Sequence, residues 1–365
     1  MPSHSDAALF WLGLSSVPGV GRVTFRKLVS HFGSPEEALA ASREDLLQVN
    51  GISDRTAAAI MSHPWRAAAE KEIEKADRTS VAIIIADDVR FPGRLLHTPD
   101  PPVLLYVRGA LDNGNAVAIV GTRTPTHYGL TVTHRMAYEL AAAGITVVSG
   151  MARGIDTQAH KGAIAARGRT CAVLGCGIDI AYPPENRALM EEIAHSGAVV
   201  TENPFGTRPE AGYFPARNRI ISGLSAGSVI IEAAEDSGSL ITADYTIEQG
   251  RKLFAVPGNI GSPVSRGPNN LIKKGATLVE NAGDVLAAID APREEMPRQA
   301  PRPQPHLTGD EATIFQELSA EPKHIDVILT DTQCPAGKLG GILITLELKG
   351  LIRQLPGKLF VREVP

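Results

Sequence analysis

"VAIVGTRTPTHYG", residues 117–129, decides how the chain is read. A short β-branched run ends on Gly121, a polar loop carries Arg123, and a helical pattern follows. The same unit recurs down the chain. Apolar runs at "ITVVSG" 145–150, "TCAVLG" 170–175, "AVVTEN" 198–203, "SVIIEAA" 228–234, "KLFAVPG" 252–258 and "TLVE" 277–280 are mostly separated by amphipathic stretches. Strands alternating with helices predict an α/β domain over 111–290 with a mostly parallel sheet covered on both faces. Ligands of such sheets bind beyond the carboxyl ends of the strands, where the strand order switches.

The loops at those ends are therefore the place to look. "GTRTPTHYG" supplies Gly121, Thr122 and Arg123; "SGMARGIDTQAH" supplies Ser149, Gly150 and Arg153. "GCGIDIAYPPEN" and "NPFGTRPEAGYFPARNR" follow, and "EDSGSL" sets Ser237, Gly238 and Ser239 at the start of a helix running to Gly250. Free backbone N–H groups, a permissive glycine and hydroxyls make an anion site there. "FPARNRIISGLS", 214–225, predicts a helix from about Ala216 with Arg217 and Arg219 in its first turn. Cations are unfavourable at that end, so an anion must compensate them. Arg123 and Arg217 are expected on a shared phosphate. Residues at i and i+2 do not share a helix face, so one arginine of the pair is expected on ligand and the other in a structural ion pair, with Glu202 and Glu232 as the acids available in the core.

The kind of phosphate is constrained by what is missing. "GTRTPTHYG" does not fit G-x-G-x-x-G, Ser149-Gly150 stands where a ribose-binding acid belongs, and no Walker motif occurs. Phe205, Tyr213 and Phe214 share a loop with the arginines in a chain only 5% aromatic. Arginines beside flat rings suit single-stranded nucleic acid, with backbone gripped and bases stacked. Asp156 and His160, at i and i+4, can be read as an acid–base pair or as a dipole partner near a helix start. No catalytic triad order and no metal-ligand spacing is visible, and no cofactor is expected.

The flanks read separately. Residues 1–65 repeat "VPGVG" (17–21) as "VNGIS" (49–53), each followed by a helical pattern. This is a helix-hairpin-helix layout, but with five Lys/Arg against six Asp/Glu DNA contact and mere docking are equally weighted. Residues 66–110 form a bridging extension with strand-like "SVAIIIADD" and "PPVLLYVRG". "APREEMPRQAPRPQPH", 291–306, is a stiff linker. Residues 307–365 read as three helices and a β-hairpin turning at Pro356-Gly357, a winged-helix pattern. That domain holds six Lys/Arg against eight Asp/Glu, and its recognition helix offers only Lys338. Protein docking or regulation suits it better than groove reading.

The bulk numbers are those of an ordinary globular chain: 365 residues, 43% hydrophobic, 21% charged, net charge −4. No global basic field exists, so any anion site is local. Three cysteines without a C-x-x-C pair argue against a disulfide framework or a zinc ribbon and for a cytosolic chain. The run "AALFWLGLSSV", 7–17, is too short to span a membrane.

Five motifs in order, "AIVGTRTPTHYG", "SGMARGIDTQAH", "AVLGCGIDIAYPPEN", "FPARNRIISGLS" and "EAAEDSGSLITADYTIEQGRKLFAVPGN", resemble the DNA-processing protein A family, DprA/Smf. The resemblance covers 111–290 and the flanking layout. "GTR" stands where the family often has Gly-Ser-Arg, and Thr122 keeps the hydroxyl. The resemblance implies an extended Rossmann-like core between an N-terminal helix-hairpin-helix (SAM-like) module and a C-terminal winged-helix-like domain. It implies a non-enzymatic, cytoplasmic protein that binds and shields single-stranded DNA during natural transformation and loads RecA onto it. Single-strand-binding protein is a further candidate partner. It also implies that Gly121, Arg123, Phe214, Arg217, Asn218 and Arg219 line the DNA groove, with Ser237 and Gly238 nearby, and that the core dimerises, residues 260–290 being a candidate surface. The competing readings are a nucleotide hydrolase or phosphoribosyl-transferring enzyme using the same phosphate pocket, and a pure interaction scaffold.

Overall fold

The computed structural model of the chain describes residues 7–289, 307–319 and 322–362. They fall into two compact units. The larger runs to Thr124 and resumes at Thr133; the smaller holds Pro125–Val132 and the residues from 307 onward. The proline-rich stretch 291–306 lies outside the described residues.

The larger unit opens with six helices: α1 (Ala7–Ser16), α2 (Arg22–Phe32), α3 (Pro35–Ala40), α4 (Arg43–Gln48), α5 (Asp54–Ser62) and α6 (Trp65–Arg78). The repeat seen in the sequence is a repeat in space. Gly19 and Gly51 both sit at φ +89°, and Val20 N–H to Val17 O and Ile52 N–H to Val49 O close identical turns at 3.0 Å. Phe25, Leu28, Leu46 and Ile60 form the core between the two hairpins.

A single sheet follows: β1 (Val81–Ile85), β2 (Leu104–Gly109), β3 (Ala116–Val120), β4 (Thr146–Ser149), β5 (Thr170–Val173), β6 (Ala198–Thr201), β7 (Gly227–Ile230), β8 (Lys252–Ala255) and β9 (Thr277–Leu278). Their order is β1-β2-β6-β5-β4-β3-β7-β8-β9. Every pair from β6 through β9 is parallel. The extension 66–110 adds β1 and β2 antiparallel at one end. All five residues of β3 are buried, as a two-faced parallel strand requires.

The helices after the strands are α7 (Gly93–Leu96), α8 (His127–Ala142), α9 (Ile155–Ala165), α10 (Arg187–Ser196), α11 (Tyr213–Leu224), α12 (Ser239–Glu248), α13 (Arg266–Lys273) and α14 (Ala282–Ala288). Leu95, Ile220, Ile221 and Ala243 bury α7, α11 and α12 against one face. Ala8, Leu12, Ala69, Leu189 and Ile193 bury α1, α6 and α10 against the other. β3 runs beside both β4 and β7, so the chain reverses its direction of winding there. The loops after β3 and β7 flank that switch point and are joined by Thr122 N–H to Glu232 O at 2.7 Å.

The smaller unit carries α15 (Gly309–Glu317), α16 (Ile325–Thr332) and α17 (Ala336–Leu348), with β10 (Lys323–His324), β11 (Ile352–Leu355) and β12 (Leu359–Arg362) in the order β10-β12-β11. This is a winged helix with one more strand than its sequence announces, since β10 is only two residues long. Ile314, Ile328, Leu339, Leu343 and Phe360 form its core. Lys338, the one cation of its recognition helix, is already paired with Asp310.

The hairpin geometry yields a clean test. A Cβ on Gly19 would meet nothing closer than Thr56 Oγ1 at 3.7 Å, so only the positive φ opposes it. Gly19→Ala is expected to destabilise the chain by about 1–2 kcal/mol in urea melts. An unchanged midpoint would show that the turn does not need glycine.

Candidate nucleic-acid interface

α11 begins at Tyr213, three residues before the expected Ala216. Pro215 is tolerated there because N–H groups of a first turn have no intrahelical acceptor. Arg217 and Arg219 therefore stand in the second turn, away from the positive helix end, and both are buried, at 6% and 2% exposure. This corrects the sign question raised by the sequence: the compensating anions are internal.

Arg219 is clamped by Glu202, and its Nε lies 3.3 Å from Asp100. Asp100 also receives Arg26 and, at 2.9 Å, Arg22 from α2. Arg22 reaches Glu202 as well, at 3.3 Å. Burial alone pushes the Asp100 carboxyl up, but Arg219, Arg22 and Arg26 together leave it below its ordinary value. Of the two acids expected for the pair, Glu202 is the partner of Arg219.

Arg217 turns the other way, under the strand ends. Its Nη1 donates to Val173 O at the end of β5, and its charge faces Asp156. Gly150 leaves the room: a Cβ there would collide with the guanidinium. Burial lowers the Arg217 pKa to about 10, the attraction of Asp156 opposing and the repulsion of Arg123 adding to that fall. The sequence reading placed Arg217 on the phosphate; the structure places its guanidinium beneath the loops that would hold one.

Asp156, in the first turn of α9, accepts Gly150 N–H at 3.1 Å and Ala152 N–H at 3.4 Å. It therefore pins the loop after β4. Burial raises its pKa against Arg217 and those bonds. His160 has no exposure. Thr170 gives its hydroxyl proton to Val147 O at 2.7 Å, so it accepts from His160 Nδ1, also at 2.7 Å. Of the two readings of this pair, the geometry is that of a dipole partner and a core imidazole, closed to any substrate.

The exposed layer above is small. Arg123 is exposed, has no carboxylate partner among the described residues, and lies with its guanidinium carbon 5.6 Å from the centre of the Phe214 ring. Phe214 rests on Gly175, where a Cβ would lie 2.9 Å from its Cδ1, and against Tyr182 at 5.4 Å between centroids. Across the switch point, Ser237 and Ser239 share a hydroxyl contact of 2.8 Å, and the Gly238 N–H has no acceptor among the described residues. Asn218 Nδ2 holds the Gly238 carbonyl at 3.2 Å, tying α11 to this loop. Gly121 admits the close approach of Ile155 and Glu232 O, and Thr122 N–H is taken by the latter.

Other expected residues lie apart. Arg153 is exposed but paired with Glu185. Phe205 belongs to the sheet, edge-on to Tyr106 at 5.5 Å. Tyr182 and the exposed Arg208 were not singled out from the sequence. Each is an aromatic or cation in a glycine- and proline-rich loop, the signal that did find Phe214. Among the described residues no cluster of His, Cys, Asp and Glu is placed to hold a metal ion, and no helix is long and apolar enough to cross a membrane.

Comparison with known proteins agrees with this architecture. The family model described as DNA recombination-mediator protein A matches residues 82–290. Those described as DprA winged helix domain and SAM-like helix-hairpin-helix tandem match 298–358 and 12–63. Protein Smf of Synechocystis sp. is 34% identical over 401 aligned positions, covering 99% of this chain and 100% of that protein. The X-ray structure of DNA processing protein A from Streptococcus pneumoniae superposes with a TM-score of 0.69 at 32% identity, over 78% of this chain and 98% of that one. DNA processing protein A from Helicobacter pylori, whose structure addresses its single-stranded DNA binding mode, gives 0.51 at 34% identity over 55% and 92%.

Two measurements probe the buried charges. Arg219→Ala leaves Glu202 without its inner partner and is expected to destabilise by about 3 kcal/mol, the lower end for a broken buried pair because Arg22 remains. A loss no larger than that of an exposed pair, about 0–1 kcal/mol, would show the clamp to be dispensable. His160 tests the core under β4 and β5. Burial, with Arg217 adding, depresses its imidazole from 6.5 to about 3. In that window the unfolded chain binds a proton that the folded chain refuses. The contribution is complete above about pH 6.5 and falls away as pH drops, at up to about 1.4 kcal/mol per pH unit. The raised Asp156 acts in the opposite direction, so the comparison is between chains. Between about pH 7 and about pH 5, the native chain should lose about 2 kcal/mol more than His160→Asn. Equal losses would contradict the buried neutral imidazole.

Proposed function

This chain belongs to the DNA recombination-mediator protein A family, and on that premise we propose that it binds single-stranded DNA along the carboxyl edge of its sheet, without strong sequence preference. One observation carries the reading. An exposed Arg123, without a carboxylate partner among the described residues, stands over Phe214 on the loop after β3, and that loop is joined through Thr122 N–H and Glu232 O to the one that carries Ser237, Gly238 and Ser239. A cation for the backbone, a flat ring for a base and a glycine-serine loop for a second phosphate are what a single strand needs. Thr122 and Gly121 shape the turn that carries Arg123. Arg217, Asn218 and Arg219 act by positioning, and Arg153 joins when a phosphate displaces the weak exposed pair with Glu185.

The wider role follows from the family. The protein works in the cytoplasm on DNA taken up in natural transformation. It shields the strand, as a homodimer, and hands it to RecA. The Helicobacter pylori relative, named for its single-stranded DNA binding, supports the first step. The enzymatic alternative loses its best acid–base pair, since Asp156 and His160 are closed in the core.

The test is a titration of single-stranded oligonucleotide at several salt concentrations. With three to five phosphates neutralised, the slope of log K against log salt should be about −2 to −3.5. Arg123→Ala should weaken binding and flatten the slope by about 0.7. Phe214→Ala should weaken it by about 1–3 kcal/mol with the slope nearly unchanged, because stacking releases few counterions. Thermal melts keep a packing defect at Gly175 separate from a lost stack. Affinity unaffected by both substitutions in a folded chain would remove the carboxyl edge from the DNA path.

A further inference from the structure

The opposite edge of the same sheet carries two further cations, Arg94 and Arg251, with no ion-pair partner among the described residues. At the amino ends of β4 and β5 a narrow crevice of about 30 Å³ is lined by Thr146, Thr170 and the ion pair of Arg169 with Asp112, room for little more than one water. Through Gly93, Arg94 and Asn113 it adjoins an open depression of about 650 Å³ lined also by Phe91, His97 and Arg251. That is the size of a small-ligand site.

Its electrostatics are unbalanced. No carboxylate lines the depression, and neither Arg94 nor Arg251 has an ion-pair partner among the described residues. Arg251 gives one Nη2 hydrogen to the Arg94 carbonyl at 2.7 Å, while its buried Nε has no acceptor. Burial, and then the charge of Arg94, lower the Arg251 pKa. In the crevice beside them Thr146, 7% exposed, has an Oγ1 with no partner. Arg217 and Arg219 also leave guanidinium nitrogens without an acceptor, but each faces a carboxylate, Asp156 for one and Glu202 with Asp100 for the other. Here two half-buried arginines repel each other and leave donors unused. A multiply charged oxyanion removes the repulsion and supplies acceptors in the geometry that guanidinium forks prefer.

We propose that Arg94 and Arg251 form a second anion site, for a phosphate group, at the amino edge of the sheet. His97 and Asn113 border it. It stands on the far side of the strands from Arg123, so it is independent of the reading given for the carboxyl edge.

The experiment is calorimetric titration of the full chain with inorganic phosphate at low ionic strength, in the Arg123→Ala background so that the carboxyl edge is silent. This chain should bind phosphate, and adding Arg94→Ala should weaken that binding at least tenfold. Arg251→Lys, which keeps the charge and loses the fork, should fall between the two. The Arg94 guanidinium holds no partner among the described residues, so its removal should leave the thermal midpoint in place. Phosphate binding absent from Arg123→Ala, or equal with and without Arg94, overturns the proposal. The source of the phosphate is then read from Arg94→Ala alone with a single-stranded oligonucleotide. A salt slope flatter by about 0.7 assigns the DNA backbone, and an unchanged slope assigns a small phosphate compound.

Discussion

Two guanidinium groups buried on one helix are the constraint around which the carboxyl edge is organised. An unpaired charge out of water is strongly unfavourable, so α11 can pack only where Arg217 and Arg219 are both answered. Arg219 is answered by Glu202 and Asp100. Arg217 is answered by the Val173 carbonyl and by the nearby charge of Asp156, in a space that Gly150 leaves open. Once these are satisfied, α11 has no freedom to slide. Its first turn then sets Phe214 on Gly175, and its second sets Asn218 on the Gly238 carbonyl. The exposed site inherits its geometry from charges that never reach the surface.

The same acids decide what the helical module does. Arg22 and Arg26 open the helix of the first hairpin, where a DNA-binding hairpin would turn its cations outward. Here both are drawn to Asp100, and Arg22 to Glu202 as well. Arg43 is paired with Asp54, and Lys27 donates to the Asn50 carbonyl. Arg22 and Arg26 tie the module to the sheet domain and Arg43 and Lys27 are held within it, so of its five cations Arg55 alone has no partner among the described residues. Docking, one of two equally weighted readings of the sequence, is the one the ion pairs favour.

Most of the architecture was legible because a two-faced parallel sheet writes each strand as an unbroken apolar run. Every expected strand of the core is present within a residue or two at its start. β10 was not legible, since two residues make no pattern. The site was legible to the level of loops but not of side chains. Arg217 in a polar-looking segment reads as a surface cation, and what buries it is a glycine after β4 and a carbonyl at the end of β5, both far away in sequence. Phe205 and Phe214 read alike and are both half-buried, and only the neighbour, Tyr106 or Tyr182, separates the ring packed against the sheet core from the ring beside Arg123. Arg94 and Arg251 are 157 residues apart, and nothing local links them.

A buried cation beneath an exposed one has a further physical consequence. Arg217 and Arg123 raise the potential of the same strand ends, and the repulsion between them is felt in the lowered Arg217 pKa. Asp156 offsets the inner charge, but its carboxylate is spent on Arg217 and on two backbone N–H groups. Arg123 has no ion-pair partner among the described residues. A chain with net charge −4 can thus present a local positive group without a basic surface, although Glu235 and Asp236 are exposed on the loop after β7. An anion arriving at Arg123 meets a guanidinium already oriented by Phe214, on a loop fixed by the Glu232 carbonyl. At Arg123 it displaces no ion pair among the described residues, and a loop already held in the fold lowers the ordering cost of binding.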